Sequence, residues 1–453
     1  MKRLVLMALG LVCVCSSPAQ ARVDLVALPQ RDAVQMTIYN SADLTLVREK
    51  RHLTLHQGLN TLQFSWAGTL IDPTSLDMTP VSRDRDVAVQ ELSYPPRAKN
   101  VGVWKVQSES GGNIPVDISY LTSGLTWQAL YMGTLSRNET EMDLQGFVRV
   151  TNRSGDDYGQ AQVRVVVGQV NLLDQISSLA KRQEPYGRPV QEPRVSRHTD
   201  LAGRGAPQAK AALMQAETMA LARPKDIVKE GLSEYFLYSI EGTETIRDGW
   251  SKRLPSLEAR DIPVVNVYKY DQQRFGTEVV RFLNLVNDEG HQLGQTPIPG
   301  GSLTLYRTLG SGAELSFEGQ TRFKYIPVGD KAELNLGSVS RVMVEPILME
   351  QATDSYLFDQ QGDIRGWDET RTYRIKVVNT RAIPVKTEIT RHIPTSSWDI
   401  QDVPEHIVLE KIDVDTVRFH LDLKPGQEST FGYTVTTHHG RRSQQAGRKM
   451  RRP

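Results

Sequence analysis

Ser178 and Lys181 have the spacing of a known catalytic pair. In serine β-lactamases and penicillin-binding proteins, an S-x-x-K element places a lysine where it helps to activate the nucleophilic serine. The companion S-D-N and K-T-G elements are absent from the sequence, and the pair falls in a short predicted helix before a linker. We therefore interpret Ser178 and Lys181 as neighbours on a solvated helix.

The histidines are candidate metal ligands. His52 and His56 would share one face of a strand with only Thr54 between them, and no nearby Asp or Glu in the sequence completes a ligand set. A solvated strand face explains them better. His438 and His439, near the C-terminus, could bind a metal ion adventitiously.

Two pairs of carboxylates are candidate sites. Asp413 and Asp415 are predicted on one face of a strand, as are the acid and base of some glycosidases, although such pairs usually face solvent. Asp359 and Asp363 bracket a Gly-containing loop, but the D-x-D-x-D-G spacing of a calcium loop is absent. The sequence therefore predicts no catalytic residue, no cofactor-binding residue, no metal ligand and no cofactor, and we expect a protein that is not an enzyme.

The N-terminus predicts export. MKRLVLMALGLVCVCSSPAQA, residues 1–21, has two cations, a short apolar run and a small-x-small site after Ala21, which is the layout of a secretory signal peptide. Lipidation at Cys13 or Cys15 is an alternative, but Val12 and Val14 precede them where a small residue is expected. We expect a periplasmic or extracellular product with no transmembrane segment.

Composition bounds the mature chain. Both cysteines lie within the predicted signal peptide, so disulfides and thiolate sites are excluded from the 432 residues that remain. That length suggests two to four domains. The last sixteen residues carry six Lys and Arg and no acid, while the rest of the mature chain is mildly acidic. Nothing predicts a nucleic-acid partner; the tail could weakly contact an anionic surface.

The dominant period of the sequence is two. VRFHLDL at 417–423 and YRIKV at 373–377 alternate apolar and polar residues, and QVRVVV at 162–167 reads as a strand buried on both faces. Turn signals such as Pro425-Gly426 separate the runs. The predicted fold is mainly β: multidomain antiparallel β-sandwiches with a short helical and linker insertion near 171–225.

The predicted organisation has seven parts. They are a signal peptide (1–21), an N-terminal β domain (22–100), a β-sandwich segment (101–170), a helix and flexible linker (171–225), a β domain (226–345), an immunoglobulin-like sandwich (346–437) and a basic disordered tail (438–453). Within the insertion, 183–207 is rich in Pro, Gly and Arg, and we expect trypsin to cleave there first.

Three β-runs end at an asparagine followed by a loop. They are FVRVTNRSG at 147–155, RFLNLVNDEG at 281–290 and YRIKVVNTRA at 373–382. Asparagine tolerates the left-handed backbone conformation, so we expect that conformation at these corners. The similarity is too weak to establish a sequence repeat.

Trp127, Ala129 and Tyr131 are predicted to share one face of a strand. The row is either a platform for a ligand or part of the core. Its continuation to Leu125, Gly133 and Leu135 favours burial, while the opposite face is mixed and partly polar. We predict that the row is core, with the tyrosine hydroxyl and the indole N–H reaching polar partners at its border.

Several segments resemble one family of secreted proteins. They are IYNSADLTLVREKRHLTLHQGLNTLQF at 38–64, Ile71–Ser75, the Trp127-x-Ala129-x-Tyr131 strand, Asn152–Tyr158 with Val167-Gly168, SIEGTETIRDGWSKRLP at 239–255 and PGGSLTLYR at 299–307. Together they are similar to the mucoidy inhibitor A-like proteins with a C-terminal domain of unknown function. Many members carry a coiled coil where this chain has a short helix and linker. The resemblance implies a β-rich envelope protein and brings no catalytic residues.

Two classes of function follow. The first is a non-catalytic envelope protein that binds or scaffolds other proteins, for example through exposed strand edges. The second is a carbohydrate-binding or glycan-active envelope protein, which would gather Trp and Tyr on an exposed face near carboxylates. The expected partners are envelope proteins or polysaccharide.

Overall fold

The structure, a computed structural model, describes residues 25–39, 42–81, 87–96, 98–167, 175–181, 227–232, 235–294, 296–309 and 314–450. Most of these residues lie in strands, and the predicted mainly β class is confirmed. The helices of the described part are α1 (Ile176–Ala180), α2 (Gln272–Phe275) and α3 (Arg441–Met450). The predicted signal peptide and the linker at 183–207 lie outside the described residues.

Two sheets are built mainly from the N-terminal part of the chain. The first has the order β1 (Leu25–Ala27), β4 (Gly58–Ser65), β7 (Val101–Ser108), β6 (Val87–Ser93). The second, the eight-stranded sheet, has the order β12 (Ile227–Leu232), β13 (Tyr235–Ile240), β11 (Tyr158–Val167), β2 (Ala33–Tyr39), β3 (Leu44–Leu55), β8 (Gly112–Thr122), β5 (Asp77–Pro80), with β14 (Glu244–Ile246) also pairing with β11.

A five-stranded sheet completes this half of the molecule. Its order is β15 (Ser251–Pro263), β10 (Glu141–Asn152), β9 (Leu125–Leu135), β18 (Gly301–Leu309), β19 (Glu314–Phe323). One continuous apolar core includes residues of all three sheets. Strands separated by more than a hundred residues therefore share one core.

The C-terminal half is a sandwich of two sheets. The six-stranded sheet has the order β20 (Lys331–Val339), β17 (Val279–Val286), β16 (Val265–Asp271), β23 (Val385–His392), β26 (Thr416–Leu423), β25 (Val408–Lys411). The four-stranded sheet has the order β21 (Val342–Phe358), β22 (Ile364–Asn379), β27 (Glu428–Gly440), β24 (Trp398–Gln401). Phe419 of one sheet packs against Phe431 and Tyr433 of the other, with ring centroids 5.3 and 4.8 Å apart.

The domain boundaries of the structure differ from those predicted. The predicted boundary at residue 100 falls inside the first sheet, because β7 pairs with β4 and β6. The segment 226–345 is divided: β15 and β18 pair with β10 and β9, whereas β16 pairs with β23 of the C-terminal sandwich. Periodicity identifies strands, but it does not identify the strands with which they pair.

The prediction of a disordered tail from residue 438 is wrong for residues 438–450. Strand β27 continues to Gly440, and α3 follows it directly. His438 and Arg442 both contact the buried Asp368. The Lys and Arg content of this segment indicated solvation, but a buried carboxylate from another strand holds its first residues in place.

The three asparagine corners are buried, and the reason predicted for them is wrong. Asn152, Asn287 and Asn379 are fully buried, and none of them has a positive φ angle. Their side-chain amides hold the corners instead. Asn152 accepts from the Ser154 N–H and donates to Asp156 O; Asn379 repeats this with Arg381 and Ile383.

The prediction that the Trp127 row belongs to the core is confirmed, because the side chains of Trp127, Ala129 and Tyr131 are buried. Strand β9 alternates strictly at its start, and Trp127, Ala129 and Tyr131 are 6, 5 and 4% exposed. The Tyr131 hydroxyl donates to Pro299 O at 2.8 Å, as predicted for the polar border of the row.

A buried ionic cluster joins the two halves of the molecule. Glu139 lies in the turn between β9 and β10, and its carboxylate accepts from Arg281, Arg307 and Arg381. Arg281 and Arg307 also pair with Glu318 of β19. Because Arg281 lies on β17 and Arg381 follows β22, these contacts link the five-stranded sheet to both sheets of the C-terminal sandwich.

Candidate binding surface

The β21–β22 hairpin, residues 342–379, carries the longest strand of the described chain. Near its base Val342 and Val344 are buried, but almost every residue from Leu348 to Phe358 is exposed on both faces. Strand β21 is also the last strand of its sheet, and no strand among the described residues pairs with its outer edge. The hairpin therefore projects from the sandwich with an open edge.

Exposed apolar side chains are concentrated on this hairpin. They are Met343, Leu348, Met349, Tyr356, Phe358 and Ile364. Phe358, 60% exposed, and Tyr356 have ring centroids 6.3 Å apart. We name Tyr356, Phe358 and Ile364 the apolar tip. Large apolar groups gathered on a projecting element are typical of protein interaction surfaces.

The turn at the tip is held by Asp359, one of the two residues considered for a calcium loop. Its Oδ1 accepts from the N–H groups of Gln361 and Asp363 at 3.0 and 2.9 Å, and its Oδ2 pairs with Arg365 at 2.6 Å. The backbone N–H of Asp363 and the Arg365 guanidinium hold the pKa of Asp359 below its usual value. Asp359 thus acts as the cap of a β-turn.

The outer part of the hairpin, near its turn, is anchored by Asp368, which pairs with Asp354 of β21. This buried carboxylate accepts from His438 Nδ1 at 2.7 Å and from Arg442 Nε at 3.1 Å, while His438 Nε2 lies 3.1 Å from Asp399 Oδ2. Burial lowers the pKa of His438, but its hydrogen bonds to the two aspartates outweigh this and raise the pKa above its usual value. Both ring nitrogens can then donate.

Helix α3 closes against the same outer part of the hairpin. His439 stacks on Trp367 with ring centroids 5.0 Å apart. At Gly366, an added Cβ would lie 2.8 Å from the backbone N of Arg442, so only glycine allows the chain to approach this closely. His438 and His439, considered above as metal ligands, thus fix the hairpin to β27 and α3.

The hairpin strand at the open edge is acidic. Strand β21 contains Glu345, Glu350 and Asp354 and no Lys or Arg. An unpaired edge offers backbone N–H and C=O groups to a further strand. The geometry suits addition of an extended segment of a partner, and the charges favour a segment that carries cations.

The remaining sequence candidates lie apart from this surface. Ser178 and Lys181 lie in and directly after α1. His52 pairs with Asp32, which lies just before β2, at 2.8 Å. Asp413 and Asp415 lie in the turn between β25 and β26, so their predicted placement on a strand is wrong. Among the described residues, no group of three or more His, Cys, Asp or Glu could hold a metal ion.

Sequence reasoning missed the hairpin and the Glu139 cluster. The sequence did carry a signal for the hairpin. Residues 342–358 mix apolar and acidic residues, and the lack of period-two alternation beyond the first residues indicates a strand without one buried face. The Glu139 cluster had no comparable signal, since its five charged residues are scattered from 139 to 381.

A comparison with protein families matches residues 116–441 to a domain of unknown function, DUF4139. The chain belongs to this family. The DUF4139 match contains the whole β21–β22 hairpin, the three asparagine corners and the Glu139 cluster. No curated protein matches the chain. Within the described residues, no helix has the length and apolar character needed to cross a membrane.

Proposed function

We propose that this chain is an exported cell-envelope protein that binds another protein through the β21–β22 hairpin and catalyses no reaction. The observation that carries the proposal is the hairpin itself: an open edge and an apolar tip, with Asp368 close to the tip holding the hairpin to β27 and α3. A rigid support lowers the entropy that such a surface loses on binding.

The mode of binding we propose is strand addition. A partner segment pairs with the outer edge of β21, its cations lie beside Glu350 and Asp354, and its apolar side chains cover the apolar tip. Backbone hydrogen bonds supply affinity that depends little on sequence, and the acidic residues select the partner.

The experiment compares Phe358→Asp/Ile364→Asp with Leu59→Asp in the full chain. Leu59, 57% exposed, lies on β4 of the first sheet and serves as the matched control. Photocrosslinkers placed at Met349 identify the partner in the envelope fraction. We expect the double variant to lose the crosslinked partner and the control to keep it. An unchanged crosslinking pattern contradicts the proposal. A crosslink to a second copy of this chain also contradicts it, because the hairpin would then mediate self-association instead of binding another protein.

The export step rests on the sequence. A signal peptide at residues 1–21 and the resemblance to the mucoidy inhibitor A-like proteins support a periplasmic or extracellular location. The cations of residues 441–453 supply weak contact with an anionic envelope surface. N-terminal sequencing of the mature protein tests the export step: we expect Arg22 as the first residue, whereas a lipidated Cys13 or Cys15 contradicts cleavage after Ala21.

The glycan-binding alternative depends on an exposed aromatic face. Four tryptophans are buried: Trp66, Trp104, Trp127 and Trp398. Trp250 is exposed, and the guanidinium carbon of Arg247 lies 5.4 Å from the centroid of its ring. A pull-down on peptidoglycan and polysaccharide distinguishes the two functions. Retention that survives the Phe358→Asp/Ile364→Asp change favours glycan binding over the hairpin proposal.

A further inference from the structure

A partly open cavity of about 680 Å³ lies between the eight-stranded and the five-stranded sheets. Its wall combines aliphatic side chains with polar groups. The lining includes Ala129, Val148, Val165, Ile240, Leu257 and Leu293. Its volume falls within the range of about 300–1,000 Å³ that is typical of small-molecule sites.

The two tyrosine hydroxyls along the wall already have partners. The hydroxyls of Tyr131 and Tyr238 donate to the carbonyls of Pro299 and Pro297, at 2.8 and 3.0 Å. Burial raises the pKa of both tyrosines, so they stay neutral. The part of the wall formed by these tyrosines and the aliphatic side chains therefore presents rings and aliphatic carbon to an occupant, which suits an apolar body there.

The loop at the mouth is held in place by Asn287, the second of the asparagine corners. Its Nδ2 donates to Thr296 O at 3.0 Å, and its Oδ1 accepts from the Gly294 N–H at 2.9 Å. These bonds span the loop that carries Glu289 and Gln292. Asn287 thus holds both described parts of this loop, up to Gly294 and from Thr296, in place.

The mouth is acidic. Glu289 is exposed there, and its carboxylate makes no hydrogen bond or ion pair with the residues that the structure describes. Glu258 also lines the cavity but is paired with Arg260 at 2.7 Å. None of the described lining residues is Lys or Arg. A cation at the mouth would be stabilised, and an anion would be repelled.

We infer that this cavity binds an amphipathic cation, with an apolar body against the tyrosine-lined wall and an ammonium or guanidinium group beside Glu289. A free organic amine and a basic side chain of a peptide both present this chemistry. The site is separate from the β21–β22 hairpin and does not depend on the function proposed for it.

The test uses a pair of probes of equal shape and opposite charge. Calorimetric titration of the full chain with 4-phenylbutylamine and with 4-phenylbutyrate should show at least about fivefold tighter binding of the amine. Glu289→Gln should weaken amine binding about threefold, the size expected of a solvated ion pair. Glu405→Gln, at an exposed carboxylate between β24 and β25, should leave it unchanged.

A second variant tests the location. Thr296→Trp, on the mouth loop, should abolish binding of the amine while the melting temperature is retained. The peptides acetyl-Leu-Leu-Lys-amide and acetyl-Leu-Leu-Glu-amide show whether the natural ligand is a protein side chain or a free amine. Tighter binding of the basic peptide than of 4-phenylbutylamine indicates a protein ligand. Tighter binding of 4-phenylbutylamine indicates a free amine. Equal binding of the two phenylbutyl probes, or binding of neither amine nor basic peptide, overturns the inference.

Discussion

Glu139 and Arg381, 242 residues apart in sequence, form a buried ion pair with Arg381 Nη1 3.0 Å from Glu139 Oε2. Glu139 has a positive φ of 60° in the turn after β9, and its side chain is 1% exposed. Its backbone carbonyl also accepts from Asn266 Nδ2 at 2.9 Å. One turn residue of the N-terminal half is thus bound by side chains from both sheets of the C-terminal sandwich.

Removal of this carboxylate should weaken the joint between the halves. Glu139→Ala leaves three arginines without their common partner, so we expect a loss of about 3–5 kcal/mol in the free energy of unfolding. Denaturant titration measures it. Glu91→Ala, which breaks an exposed pair with Lys105, is the control and should cost no more than about 1 kcal/mol. Equal losses would show that the cluster contributes little.

The asparagine corners should be as sensitive as core positions. Asn152→Ala and Asn379→Ala each leave buried backbone groups without partners, so we expect about 2–3 kcal/mol of destabilisation in each case. Asn335 makes the same local bond, from the Gly337 N–H to its Oδ1, but is exposed. Thermal unfolding of Asn335→Ala should resemble that of the unaltered protein; a similar loss there would argue against a role for burial.

The Trp127 row provides a test of the core. Trp127→Ala should cost about 3–5 kcal/mol, because it removes a large buried side chain from a packed interior. Trp250→Ala, at a residue that is 62% exposed, should change stability by less than about 1 kcal/mol. Melting temperatures of both variants check this. A folded Trp127→Ala protein with an unchanged melting temperature would contradict the core assignment.

The stability of the protein should depend on pH through His438, which holds the outer part of the hairpin by its bond to Asp368. Its pKa is raised in the folded protein by Asp368 and Asp399, so the folded state binds the proton more tightly than the unfolded state. The resulting stability is fully present below the unfolded value of about 6.5 and is lost as pH rises through the higher folded value.

We therefore expect the melting temperature to fall as pH rises above the unfolded value of about 6.5, until His438 has lost its proton in the folded state as well. His438→Gln should reduce that fall, and His52→Gln, at an exposed histidine, should not. The same fall in all three proteins would place the pH dependence elsewhere.

The sequence by itself determined the strands and much of what they bury. Alternation along β9, β22 and β26 predicts which side chains point inward, because successive residues of a strand face opposite sides. The burial of Trp127 and Tyr131 follows from that alternation. The position of the asparagine corners was also visible, although their cause was not: buried amide hydrogen bonds, rather than a left-handed backbone, hold them.

Only the tertiary structure decided which strands pair and which charges meet. Strand β18 joins β9 across more than 160 residues, and Arg381 reaches Glu139 across 242. Such contacts depend on how sheets close around a core, and no local periodicity encodes them. The segment after residue 437 is a second case in which the sequence alone was insufficient. Its cations indicate solvation, yet a single buried carboxylate, Asp368, binds His438 and Arg442.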